Sequence, residues 1–306
     1  MPTSSQTAIV ILNPASGSSD DDLRSKIEKL LSDRNVDYEI RETSKAKDGK
    51  ALAAEACQQG AKHILACGGD GTVMAVINGI GPKEGEQHSP VLSIIPAGTA
   101  NLLAAALQIP ADIEKAVAIA IDGTDALIDL GCIDETYFAL GIGIGIAERF
   151  VSEASHEAKD KMGRLAYVLA LAKEVGTPPS TYTVKLDDQP DTEYQGVSLV
   201  IANVGEFGGI KIDPNARPSD GFLDICIVEQ FTFWDALRLA FRAISESLHT
   251  DRKVTMLKAK KVQIKTKQPL AIQIDGESVE QTTPFTATII PKALNARIPS
   301  EAKPSV

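Results

Sequence analysis

Apolar residues follow two rhythms along this chain. Over the first 125 or so residues, short apolar runs alternate with stretches whose apolar positions recur every three or four residues. The runs 8–12, 63–66 and 91–95 read as strands buried on both faces, and 38–43 alternates as a half-exposed strand. Between them, Leu23, Ile27, Leu30 and Leu31 make one face of a helix, preceded by Asp20, Asp21 and Asp22, acids that suit a helix start. An alanine-rich helix is predicted over 48–59, a further one over 73–79, a short one over 102–107, and another over 113–121 closed by Asp122-Gly123. Strand and helix in alternation predict an open parallel sheet.

From about Leu127 the rhythm shortens. Strand-like stretches at 126–133, 137–146, 182–186, 197–204, 223–228, 261–267, 271–274 and 285–290 are parted by turn residues and predict a second, β-rich domain. Two helices interrupt it, at about 157–175 and 233–248. The first is apolar nearly all round and reads as a core helix, with the wall of a greasy channel as the alternative.

Three apolar strands of the first domain end in loops of small and polar residues. The sharpest is Cys67-Gly68-Gly69-Asp70-Gly71-Thr72, a strand, glycine loop and helix in succession. Glycines let a backbone approach a ligand closely, and amides feeding a helix N-terminus suit phosphate oxygens. Asp70 would repel phosphate unless a divalent cation or a transferable proton lay between them, which points to metal-assisted phosphate chemistry. The alternative is plain turn chemistry. The other two loops are Asn13-Pro14-Ala15-Ser16-Gly17 and Pro96-Ala97-Gly98-Thr99-Ala100-Asn101. In an open parallel sheet the carboxyl ends share one edge, where ligands bind.

Bulk properties narrow the classes. The 306 residues allow one large or two ordinary domains, and an apolar content of 43% is ordinary for a globular protein. No apolar run reaches bilayer-spanning length, and the first residues lack the pattern of a secretory signal. Cys57, Cys67, Cys132 and Cys226 show no metal-ligand spacing and read as reduced, mostly buried residues, with the cytosol as the simplest compartment. A formal charge of −10 argues against nucleic-acid binding and against permanent electrostatic attachment to anionic lipid. Arg252, Lys253, Lys258, Lys260, Lys261, Lys265 and Lys267 form a basic stretch that reads as the solvated face of strands ahead of a membrane-docking patch.

With Asp220-Gly221-Phe222-Leu223-Asp224 and Asp275-Gly276-Glu277 added to the three loops, the chain resembles the diacylglycerol kinase catalytic-domain family, which includes bacterial lipid kinases and sphingosine kinases and is distantly related to NAD kinases. The resemblance implies an α/β nucleotide-binding domain over 1–126 with a return strand at about 292–300, a β-sandwich-like lipid-substrate domain over 127–291, and an active site in the cleft between them. It implies ATP-dependent, Mg²⁺-requiring transfer to a lipid hydroxyl, with the lipid presented at a membrane surface, the inner face of the cell membrane for a cytoplasmic enzyme. A homodimer stays open. Asn13, Ser16, Thr43, Gly68, Gly69, Asp70, Gly71, Thr72, Gly98 and Thr99 would form the nucleotide site. Arg217 and Phe222 carbonyls and the Asp220 carboxylate would hold Mg²⁺. Glu277 matches the proton acceptor, Asp275 its partner, and Asp70 competes for the base role. Periodicity alone reads Asp275-Gly276 as a hairpin turn.

Met74, Ala75 and Leu102 stand where the family usually has asparagine, glutamate and aspartate. They give weight to a nucleotide sensor without catalysis, while the shared glycine-aspartate loop keeps an NAD kinase as the nearest enzymatic alternative. Gly141-Ile142-Gly143-Ile144-Gly145 is not a dinucleotide fingerprint, and neither a Walker loop nor a nucleophile elbow occurs.

Overall fold

The computed structural model describes residues 7–16, 22–82, 90–153, 173–207, 210–245 and 248–301. Gly17, Asp20, Asp21 and the apolar helix read at about 157–175, up to position 172, lie outside them. The chain divides into two compact units, Met1–Leu130 with Lys292–Val306, and Gly131–Pro291.

In the first unit, β1 (Ala8–Leu12), β2 (Tyr38–Glu42), β3 (His63–Gly68) and β4 (Val91–Pro96) form a parallel sheet in the order β2-β1-β3-β4. The end of β18 (Phe285–Ile298) extends it, with Ala296 beside Leu92. β1 is buried along its whole length, which is why it carries no polar residue. β2 lies at the free edge, so Glu39 and Glu42 stay exposed. Around the sheet run α1 (Asp22–Ser32), α2 (Gly49–Gln58), α3 (Asp70–Ile80), α4 (Leu102–Ala106) and α5 (Ile113–Asp122). Asp48 and Asp112 cap α2 and α5, their carboxylates accepting from the amides of Ala51 and Lys115 at 2.9 Å.

Helices α2 and α3 cross through small residues. A Cβ on Gly79 would lie 2.5 Å from the Lys50 carbonyl oxygen and 2.7 Å from the Ala53 Cβ, and one on Gly49 would meet Ala75. The end of α5 is locked to β18. A Cβ on Gly123 would lie 2.5 Å from the Ile298 carbonyl oxygen, and the Arg297 guanidinium donates to the Ile121 carbonyl at 3.0 Å, a cation on the last helical turn.

In the second unit, β7 (Gly141–Gly145), β10 (Ser198–Ala202), β13 (Leu223–Val228), β14 (Val254–Ala259), β16 (Ala271–Ile274) and β17 (Glu277–Thr282) form an antiparallel sheet in the order β14-β13-β10-β7-β16-β17. A second antiparallel layer joins β9 (Thr192–Gly196), β8 (Ser180–Leu186), β15 (Lys261–Thr266) and the first part of β18. Ile142, Ile144, Leu199 and Ile225 from one layer share a core with Tyr182, Val184, Val262 and Ile264 from the other. β5 (Thr124–Ile133) enters this unit and pairs with β6 (Thr136–Phe138). The short β11 (Glu206–Phe207) and β12 (Ile210–Lys211) pair with each other, and α6 (Ile146–Glu153) and α7 (Phe233–Ser245) complete the unit. The glycines of β7 explain its odd sequence. A Cβ on Gly143 would lie 3.0 Å from the Ala147 Cβ of α6 and 2.5 Å from the Gln273 amide nitrogen.

Two expected strands differ. The run read as one strand over 137–146 breaks between β6 and β7, because the amides of Ala139 and Leu140 donate to the Asp275 carboxylate instead of a ladder partner. The separate strands read at 285–290 and at the return form one strand of 14 residues, with Lys292 at φ 55° and its amide donating to Asp129 at 2.7 Å.

His63, at the start of β3, hydrogen-bonds Ser93 of β4 through Nε2 at 2.8 Å. Burial, helped by the Arg297 guanidinium and opposed by Asp125, pushes its pKa down from 6.5 to about 4. The unfolded chain takes up this proton near 6.5 and the folded one refuses it until near 4, so stability falls as pH falls through that window. His63→Gln keeps a donor for Ser93 and loses the titration. Melting profiles from pH 7 to 4 should show wild type losing up to about 3 kcal/mol relative to the variant; parallel profiles would refute it.

Candidate functional site

The loops leaving β1, β3 and β4 are tied together by direct contacts. The Asn13 amide nitrogen donates to Thr72 Oγ1 at 3.0 Å, while its side-chain oxygen accepts from the Ala15 amide at 3.0 Å. The Asn13 backbone amide donates to the Cys67 carbonyl, and the Ala97 amide to the Gly68 carbonyl at 2.9 Å. Gly69 and Gly98 then meet backbone to backbone. A Cβ on Gly98 would stand 2.4 Å from Gly69 Cα, and one on Gly68 would strike the Thr72 side chain at 2.6 Å. Asn101, at φ 47°, closes the third loop by accepting from the Gly98 amide at 3.0 Å and donating to the Gly98 carbonyl at 2.8 Å.

This framework leaves the start of α3 open. Gly69 is its N-cap: its carbonyl accepts from the amides of Thr72 and Val73 at 3.0 and 3.1 Å, and it has no side chain to cover those of Asp70 and Gly71. Thr72 is nearly buried, and because its oxygen already accepts from Asn13 its hydroxyl hydrogen is directed elsewhere. Asp70 is the first residue of α3, and its Oδ1 accepts from the Leu103 amide at 3.2 Å. Gly71 and Thr99 are exposed, and Ser16 is half-buried with its amide donating to the Asn13 carbonyl. Thr43 follows β2, its amide donating to the Leu12 carbonyl at 2.8 Å. The donor set of amides, a hydroxyl and two touching glycines fits an anion with several oxygens, such as a nucleotide polyphosphate. Burial pushes the Cys67 thiol up, so it is no nucleophile. Ala75 has a packing reason, since a Cβ on Gly49 of α2 would lie 3.2 Å from its own.

The second unit holds the remaining candidates. Asp275 and Gly276 are the two central residues of the β16–β17 hairpin, both with positive φ (51° and 86°), as the hairpin reading of this pair expects. The Asp275 carboxylate is buried and accepts from the amides of Ala139, Leu140 and Gly141, each at 2.8 Å. Its own amide donates to the Gly141 carbonyl, and the Gly276 amide donates to the Gln273 side chain at 2.7 Å. Asp275 therefore anchors the turn from within. Glu277 opens β17 and is exposed.

At the residues expected to hold Mg²⁺, Arg217, Asp220 and Phe222, a lysine stands against the Asp220 carboxylate. One Asp220 oxygen accepts from the Phe222 amide at 3.0 Å; the other accepts from the Lys258 ammonium at 2.9 Å. The Arg217 carbonyl accepts from the Asp220 amide within the turn. Lys258 also lies 3.4 Å from Asp224, and Lys258 and Lys260 stand 5.7 and 5.5 Å from the Phe222 ring centroid. A lysine thus supplies the positive charge a cation would bring, and a divalent ion would have to displace it. Burial pushes Asp224 up to about 6, with Lys258 opposing. The sequence carried this signal only as Lys258 in a basic stretch, with nothing to pair it to Asp220. Among the described residues, no cluster of three His, Cys, Asp or Glu is grouped to hold a metal.

Comparison with known proteins agrees with both units. The model of the diacylglycerol kinase catalytic domain matches residues 7–133, and that of the YegS C-terminal NAD kinase beta sandwich-like domain matches residues 142–297. A diacylglycerol kinase of Bacillus subtilis is 30% identical over 240 residues, covering 77% of each chain. The crystal structure of a diacylglycerol kinase from Bacillus anthracis superposes with a TM-score of 0.74 at 23% identity, over 97% of this chain and 98% of that one, a likeness of fold. An NAD kinase from Archaeoglobus fulgidus, solved with ATP, shares the fold at a TM-score of 0.52 and 13% identity, over 95% of this chain and 92% of that one. With its glycine cradle at the start of α3 and its β-sandwich-like second unit, the chain belongs to the diacylglycerol kinase catalytic-domain family, a family of kinases.

Proposed function

We propose that this protein is an ATP-dependent lipid kinase that transfers the γ-phosphoryl group to the hydroxyl of diacylglycerol or a sphingoid-like alcohol. The observation that carries the reading is the contact of Gly69 with Gly98 beneath the open amides of α3, with Thr72 held by Asn13. Phosphoryl transfer needs mainly positioning and neutralisation of oxygen charge. The amides of Asp70 and Gly71 and the Thr72 hydroxyl bind the nucleotide phosphates, with Ser16, Thr43 and Thr99 as polar neighbours. The lipid oxygen bonds to the γ-phosphorus as the bond to the ADP oxygen breaks, and Glu277 accepts the hydroxyl proton. Asp275 positions Glu277 by fixing the turn that carries it. Asp70, tied to Leu103, is the competing base. Mg²⁺ enters with the ATP phosphates as part of the substrate, and the Asp220 turn takes no part.

An NAD kinase is the second reading, favoured by the fold shared with the Archaeoglobus enzyme. The protein with labelled ATP, Mg²⁺ and micelles of total lipid extract, and separately with NAD, separates the two. Labelled lipid that disappears with Asp70→Asn supports the lipid kinase. Labelled NADP alone supports the other, and bound nucleotide without either product leaves a sensor.

Three substitutions test the parts. Glu277→Gln should lower kcat by about a hundredfold or more with the KM for ATP unchanged, and undiminished turnover would pass the base role to Asp70. Gly98→Ala places a Cβ 2.4 Å from Gly69 and should weaken ATP binding about tenfold or more by calorimetry; unchanged affinity would dissolve the cradle. Because Lys258 fills the Asp220 turn, chelation should move the melting temperature of the nucleotide-free protein by less than about 1 °C. In Lys258→Met, added Mg²⁺ should raise it, and a chelator-sensitive wild type would refute the assignment.

A further inference from the structure

Helix α7 turns its large apolar residues outward. Ala236, Leu239 and Ala240 are buried, whereas Phe233 is 54% exposed, Trp234 74%, Leu237 45% and Phe241 62%. At about 100° per residue, those four exposed positions fall within about 100° of arc, and the buried three fall on another face. Arg238 and Arg242 lie along one margin of the exposed arc, joined there by Arg252, whose side chain is 75% exposed.

The orientation is held by charge-assisted hydrogen bonds. Asp235 accepts from the amide and hydroxyl of Thr232 at 3.1 and 2.8 Å, and from Arg238 and Arg252 at 2.7 and 3.0 Å. Asp251 accepts twice from Arg238, at 2.8 and 3.1 Å. Rotating α7 to bury its aromatic rings would break this network and strand a nearly buried carboxylate. Three guanidiniums share two carboxylates, so the margin keeps a positive charge in a chain whose formal charge is −10.

We infer that this face of α7 docks the protein on the surface of a bilayer containing anionic lipids. Aromatic rings beside arginines match the interface, where amphipathic rings sit at headgroup level and cations meet acidic headgroups. No helix among the described residues is long and apolar enough to cross a membrane. The choice of partner rests on the lipid-kinase reading.

Trp234 is the one tryptophan of the chain, which makes the face its own probe. With vesicles of phosphatidylcholine and phosphatidylglycerol, and no nucleotide, its emission should shift to the blue and the protein should cosediment. Phosphatidylcholine alone, or added salt, should weaken both effects. The double variant Leu237→Ser with Phe241→Ser should keep its melting temperature and bind about tenfold more weakly or worse. It should lose turnover on vesicle-borne lipid and keep it on lipid dispersed in detergent micelles. No shift and no cosedimentation, or a double variant that binds like wild type, would overturn the inference. So would a dimer in light scattering whose dilution alone shifts the emission, since a second copy would then cover the face. Because the vesicle measurements need no turnover, a failed kinase assay leaves them readable, and micelle turnover without vesicle binding defeats only the docking.

Discussion

Adjacent parallel strands stand about 4.8 Å apart, and the loops that leave β3 and β4 at the same edge inherit that spacing. The bond from the Ala97 amide to the Gly68 carbonyl carries the pairing to the last residues of both strands, after which Gly69 and Gly98 touch. A Cβ on Gly98 has no room there, and one on Gly69 would crowd the Gly98 Cα at 3.3 Å. The glycines are therefore fixed by the sheet before any ligand is considered, and the uncapped start of α3 is their consequence. Asn13 and Asn101 then do what the missing side chains cannot, bonding loop to loop and closing the turn around Gly98.

The Asp275 turn settles a conflict between two readings of one dipeptide. Asp-Gly is a good hairpin turn, and here it is one, with both residues at positive φ. Its carboxylate has a second task. Removing a carboxylate from water is costly unless hydrogen bonds replace the lost hydration, and three backbone amides do so. Those amides belong to the segment between β6 and β7, so the hairpin and the strand break are one feature. Glu277 stands two residues on, at the start of β17, just past the turn that this carboxylate holds.

Legibility in the sequence followed burial. The strands read from apolar pattern, β1, β3, β4, β10, β13, β15 and β16, lie inside their sheets and carry continuous or alternating apolar residues. The strands missed, β9, β11, β12, β14 and β17, all sit at sheet ends. Thr192–Gly196 and Glu277–Thr282 are mostly polar, as an edge facing water allows, and hydrophobic periodicity cannot see them. The glycine loops were legible because close backbone approach demands one residue type. The role of Asp275 was not, because its partners lie more than 130 residues away and are backbone amides, which leave no trace in the sequence.

Charge shows the same limit. The basic stretch from Arg252 to Lys267 looks uniform in sequence, yet Arg252, Lys253, Lys258 and Lys265 each face an acid: Asp235, which Arg238 shares, Glu229, Asp220 and Asp191. It is a set of separate ion pairs along strands and turns. Helix α7 inverts the ordinary ranking, with alanines inside and a tryptophan outside. Its sequence is apolar on two faces, so periodicity announces the helix and stays silent on which face is buried. Asp235 decides. A carboxylate that accepts from Thr232 and two arginines pins the rotation of the helix, and the small face follows inward. Aromatic exposure is therefore a built consequence of a polar clamp, which is the condition under which an exposed apolar face persists in water.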